Sequence, residues 1–117
     1  MDKKEKKARK ERLSKHVNLG NGRFKDSEIE ELESLVEQRD SLNGTTRTYR
    51  SSYKAFDSED TYNVVEEETY TFCSDDSGIR VKQNLQKRWD DGQVDNFSAE
   101  FDTARDILNC LGKLFKK

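Results

Sequence analysis

Five polar residues at alternate positions, Arg80, Lys82, Asn84, Gln86 and Arg88, run through GIRVKQNLQKRWDDG at 78–92. In an extended chain they share one face, opposite Ile79, Val81, Leu85 and Trp89. Guanidinium, ammonium and carboxamide groups in a row suit contacts to phosphate or other polar groups. An upstream segment adds Arg50 and Lys54 to the same outer face, with Glu67, Thr69 and Thr71 between the two. These seven residues, Arg50, Lys54, Arg80, Lys82, Asn84, Gln86 and Arg88, form the first candidate binding surface. The simpler alternative is a solvated sheet face whose charges pair across strands. Tyr49, Tyr53, Tyr70 and Trp89 fall on the opposite, apolar face. The aromatic platform of RNA-binding sheets is therefore absent, unless covering helices leave part of that face open.

A second cluster of cations lies at the start, in MDKKEKKARKERLSKH. Lys3, Lys4, Lys6, Lys7, Arg9, Lys10, Arg12 and Lys15 stand against three acids, which gives residues 1–16 a net charge of +5. Such a tail attracts nucleic acid by charge alone, or serves only to solubilise. It has no apolar face for a membrane surface.

Catalytic constellations are missing. The one histidine, His16, lies in the basic segment, which excludes Ser-His-Asp and Cys-His chemistry. Cys73 and Cys110 are too few and too far apart for a cysteine zinc site. NLGNGRF contains two glycines but neither a GxxxxGK[ST] loop nor a GxGxxG before a helix. The acidic turns DSED at 57–60 and SDD at 74–76 lack the ordered ligands and glycine of a calcium loop. The expectation is no enzyme, no cofactor and no metal.

The 117 residues are 31% hydrophobic and 39% charged, so a single small domain with a thin core is expected. Eleven aromatics partly compensate. Outside residues 1–16 the chain holds 14 basic and 21 acidic groups, an acidic body. No apolar run is long enough to span a membrane, and no apolar segment follows the basic stretch as in a secretory signal. A cytoplasmic protein with free thiols is expected.

The elements follow from periodicity. Residues 1–22 read as a basic arm, disordered or frayed-helical, and loop, and 23–117 as the folded domain. DSEIEELESLVEQRDSLNG at 26–44 reads as a helix, with Ser27 and Glu30 at capping-box spacing, Asn43-Gly44 as its stop and an apolar stripe of Ile29, Leu32, Leu35, Val36 and Leu42. Strands are expected over 45–56, 61–74 and 78–89, joined by short turns into a meander. NFSAEFDTARDILNCLGKLFKK at 96–117 reads as one helix through Phe97, Phe101, Ala104, Leu108, Leu111 and Phe115. Lys113, Lys116 and Lys117 lie late in it, matching its dipole. Gly112 would permit close approach to the sheet, and Cys110 falls toward the polar side.

The fold class is therefore α+β, a three-stranded antiparallel meander with two helices on one face, in the order α-β-β-β-α, preceded by the flexible basic arm. Inward-facing Glu66 and Glu68 need partners, with Arg39 expected to reach one and Lys87 the other; Arg39→Ala would then cost about 3 kcal/mol or more. Functionally, the pattern suggests a non-enzymatic protein-binding module of adaptor or inhibitor type, as in small proteins of phages and mobile elements. A homodimer is compatible with the thin core. The alternative is nucleic-acid binding through the basic segment and the outer face of the third strand.

Overall fold

A computed structural model describes residues 2–115 of the chain; Lys116 and Lys117, counted above as complements to a helix dipole, lie outside the described residues. Alternating β-branched and aromatic residues form β1 (Thr46–Phe56), β2 (Thr61–Asp75) and β3 (Gly78–Trp89), close to the expected bounds. A fourth strand, β4 (Val94–Phe101), follows, so the antiparallel meander runs β1-β2-β3-β4. The helices are α1 (Lys3–Leu13), α2 (Asp26–Glu37), the short α3 (Arg39–Leu42) and α4 (Ala104–Leu114). No helix among the described residues is long and apolar enough to cross a membrane.

The expected three strands become four because the single helix read over 96–117 splits. Phe97 and Phe101 are four apart, a spacing that suits a helix turn and one face of a strand equally. Pairing with β3 decides for the strand: Leu85 faces Phe97 and Val81 faces Phe101. The helix begins only after Thr103, whose hydroxyl accepts the Asp106 N–H at 3.4 Å.

The basic arm, expected to be disordered or frayed-helical, is helical over Lys3–Leu13 and packs against α2. Asp2 caps α1 by accepting the Glu5 N–H at 2.8 Å. Arg9 makes a two-pronged contact with Glu33 of α2, and the Lys6 ammonium lies 3.5 Å from Asp26. Leu13 and Val17 are buried in the same cluster as Ile29, Leu32 and Phe72. A helix with almost no apolar side chains is thus held by an acidic neighbour and anchored at its end.

Lesser differences lie in the helices. α2 starts one residue before Ser27, and Glu28 rather than Glu30 reaches back, accepting the Lys25 N–H at 2.8 Å. The helix breaks at Gln38, which redirects Arg39: its guanidinium donates to the Val36 carbonyl at 2.7 Å and pairs with neither Glu66 nor Glu68. The large cost assigned to Arg39→Ala therefore falls away. Cys110 is buried, not polar-facing, and burial pushes its thiol pKa up. Gly112 is exposed, and a Cβ there would meet nothing within 4 Å. It makes no close approach to the sheet, so Gly112→Ala should stabilise the protein by about 1 kcal/mol through helix propensity, read as a rise in urea midpoint.

The core lies at one end of the sheet. α4 and α3 sit on it, α2 packs against α4, and α1 packs against α2. Phe72, Val81, Ile107 and Leu114 are almost wholly buried there. The loop after α1 is tied in by the His16 carbonyl, which accepts the Ile79 N–H at 2.8 Å, and by the Asn18 carbonyl, which accepts the Ala104 N–H at 2.7 Å.

Candidate functional site

All seven residues of the polar strand face lie on one face of the sheet, spread along it from Arg80, opposite Cys73, to Lys54, opposite Asn63. Arg50 lies in a row with Glu67, Gln86 and Asn96; Lys82 lies beside Thr71, and Arg88 beside Val65. Most of these groups are occupied with one another. Arg50 contacts Glu67 at 2.6 Å, and Arg80 holds Asp75 at 2.7 Å and Glu100 at 2.8 Å. Arg80 also holds the Asp75 carboxyl below its ordinary pKa range. Arg88 donates to Gln86, and Gln86 to Asn96. Threonine pairs, Thr46 with Thr71 and Thr48 with Thr69, close the ladder at 3.3 and 3.2 Å. Among the described residues Lys54, Lys82 and Arg88 of these five cations have no ion pair, and Arg88 is held by the neutral Gln86 instead. This geometry is that of cross-strand pairing on a wet face.

On the basic helix, Arg9 and Lys6 are committed to α2, and Lys10 lies 5.8 Å from the centre of the Phe24 ring. Lys3, Lys4, Lys7, Arg12 and Lys15 remain exposed.

The opposite sheet face divides in two. Its first half lies under the helices. Tyr49 donates its hydroxyl to the Lys113 carbonyl, and Phe72 packs on Phe115 with ring centres 6.2 Å apart. Tyr70 is buried beside them, and burial raises its phenol pKa to about 12. Among the described residues no helix lies over the second half. β2, at 15 residues, spans about 50 Å, whereas the 11 residues of α4 span about 17 Å. The 63 Å molecule therefore extends well beyond its helical layer.

In this open half, Tyr62 and Trp89 meet edge to face at 6.2 Å over the far end of the sheet. Val64, between Tyr53 and Trp89 in the ladder, is fully buried yet stands apart from the main core cluster. Glu66 accepts the Tyr53 hydroxyl at 2.7 Å and lies 3.3 Å from the Lys87 ammonium. That hydroxyl, and then Lys87, hold the Glu66 carboxyl below its ordinary pKa, while the Tyr53 and Lys87 pKa values rise. Lys87 thus fills the role expected of it. Trp89 donates its indole N–H to Asp95 at 3.3 Å.

Two observations set this half apart. At this end of the sheet large hydrophobic side chains are left exposed on both faces: Tyr53 and Phe97 on the open face, Phe97 being 56% exposed, and Phe56, 76% exposed, with Val65 and Val94 on the polar face behind it. Charge gathers there too. Residues 50–68 and 84–97 carry four Lys/Arg against nine Asp/Glu, net −5, which leaves +3 for the remainder. Five of those acids, Asp57, Glu59, Asp60, Asp90 and Asp91, lie on the two turns at this end. The Asp57 carboxylate is turned inward to its own loop, accepting the N–H groups of Glu59 and Asp60 at 3.0 Å. Among the described residues no three His, Cys, Asp or Glu side chains come together as metal ligands.

The polar face was readable from alternation, but the open aromatic half was not singled out. Its signal was the length of the strands against the length of the helices available to cover them. No family model matches the chain, and no curated protein or solved structure matches it either.

Proposed function

We propose that the chain is a non-enzymatic protein-binding module whose open sheet half docks a partner with a basic surface. The observation that carries this reading is the coincidence of exposed large hydrophobics with the acidic end of the molecule. Exposed apolar clusters with a polar rim mark interaction sites on folded proteins. Aromatic groups supply the buried contact area, and opposite charge steers the encounter and selects the partner. The same acids repel nucleic acid from these aromatics, so stacking of bases there is disfavoured.

The test uses Trp89, the one tryptophan, as its reporter. A lysine- and arginine-rich amphipathic peptide should perturb Trp89 fluorescence and the backbone amides of the open half. Combined Glu59→Lys and Asp91→Lys substitutions, both on exposed turns, should weaken that binding about tenfold. No response of Trp89 or of its neighbouring amides to the peptide would sink the reading. A short DNA duplex is the second arm. Shifts confined to α1, with steep salt dependence, would instead favour nucleic-acid binding through Lys3, Lys4, Lys7, Arg12 and Lys15.

A further inference from the structure

We propose that the chain pairs with a second copy of itself along β4, edge to edge and antiparallel, with Phe97 facing Phe97 of the second copy across the two-fold axis.

The backbone pattern defines the free groups. The Trp89 N–H donates to the Gln93 carbonyl at 2.9 Å, so these two form a hydrogen-bonded pair at the turn. Pairs alternate along an antiparallel ladder. Lys87–Asp95, Leu85–Phe97 and Gln83–Ala99 are then the bonded pairs of β3 and β4. The N–H and C=O groups of Val94, Asn96, Ser98 and Glu100 point away from β3. Among the described residues no strand lies beyond β4 in the sheet.

The two edges of the sheet differ in defence. β1 carries Arg47, Arg50 and Lys54, and a second β1 laid against it would oppose cations to cations. β4 carries only Asp95 and Glu100, and both are engaged within the chain. Asp95 accepts from Trp89 and Gln93, and Glu100 accepts from Arg80. The stretch between them, Asn96 to Ala99, is uncharged, and Phe97 protrudes from it.

The register follows from the free groups. A symmetric antiparallel pair must match outward residues with outward residues. Centred on Phe97, it pairs Asn96 with Ser98 and Val94 with Glu100 of the second copy, and uses all four. A centre at Ser98 leaves Val94 without a mate. At the Phe97 centre the two rings form a close non-hydrogen-bonded pair, with Cα atoms about 4.5 Å apart. Asp95 meets Ala99, so no like charges are opposed. The antiparallel arrangement also lays the net −5 end of each copy beside the net +3 end of the other. The product is one continuous eight-stranded sheet.

Sedimentation should show a species of twice 13.7 kDa for the parent. Phe97→Glu opposes two carboxylates at the axis and should raise the dimer dissociation constant about tenfold or more. Ser98→Pro should do the same without removing a bond to β3, because the Ser98 N–H faces outward. Thermal melts of both variants check that they fold. Phe97→Cys, oxidised with glutathione disulfide, should yield a covalent dimer, since the pair distance suits a disulfide. Ala99→Cys, whose copies lie about 13 Å apart in this register, should not. The parent, with Cys73 and Cys110, is the control. A 13.7 kDa parent at about 1 mM would overturn the proposal. So would a dimer indifferent to both Phe97→Glu and Ser98→Pro, or one cross-linked equally well through Ala99→Cys.

Discussion

Leu13→Ala should cost about 3 kcal/mol of unfolding free energy in urea denaturation, although it lies in the most highly charged part of the chain. Leu13 is 3% exposed and ends a helix whose other residues are nearly all charged. It packs in one cluster with Val17, Phe24, Ile29 and Leu32. Truncating it removes most of the apolar contact that α1 makes. The remaining ties, Arg9 to Glu33 and Lys6 to Asp26, are partly exposed ion pairs that orient the helix more than they stabilise it. Alanine's better helix propensity offsets only a few tenths of a kcal/mol. A solvated arm would give a change within about 0.5 kcal/mol, so that result would show α1 undocked. Far-UV circular dichroism on the variant distinguishes loss of docking from loss of the helix itself.

The same residue shows why the sequence was legible in some places and not in others. The three long strands were legible because alternation is strict and each turn carries Asp, Ser or Gly. The face of each residue was legible as well, and Glu66 faces Lys87 as expected, but the five-residue turn at 57–61 left the register of β1 on β2 open, and only the structure sets Glu67 opposite Arg50. α1 was misread because its partner is charge on another helix, and a complementary acidic face 20 residues away leaves no periodic mark on the basic segment itself. β4 was misread because Phe97 and Phe101 fit both periods. The Asp91-Gly92 dipeptide after Trp89 was a hairpin signal that favours the strand. Thr103, three residues before Asp106, marked the true helix start. Arg39 failed for a different reason. The pairing expected of it assumed that helices cover Glu66, and they do not. Glu66 satisfies itself beside Tyr53 and Lys87 on the open half, where water shares the remaining solvation. The candidate docking half was thus a consequence of coverage, a tertiary property, while the polar strand face was a property of alternation alone.

Gly78→Ala should cost about 2–3 kcal/mol, for two reasons that act at the same atom. Gly78 opens β3 with φ +105°, a backbone conformation that L side chains rarely adopt. A Cβ there would meet the His16 carbonyl oxygen at 2.8 Å, and that is backbone, not the yielding end of a side chain. The same carbonyl accepts the Ile79 N–H at 2.8 Å. Relief of the clash must therefore move the group that ties the α1 loop to the sheet. Gly44 provides the comparison. Its φ is +90°, but a Cβ there meets nothing within 4 Å, so Gly44→Ala reports the conformational strain alone, about 1 kcal/mol. The difference between the two variants measures the contact with His16. Hydrogen exchange of the Ile79 amide should accelerate in Gly78→Ala and not in Gly44→Ala. Combining Gly78→Ala with Leu13→Ala should give less than the sum of the single effects, because both loosen the same attachment of α1 to the sheet. Equal costs for the two glycine variants, with Ile79 exchange unchanged, would show that the loop does not bear on Gly78.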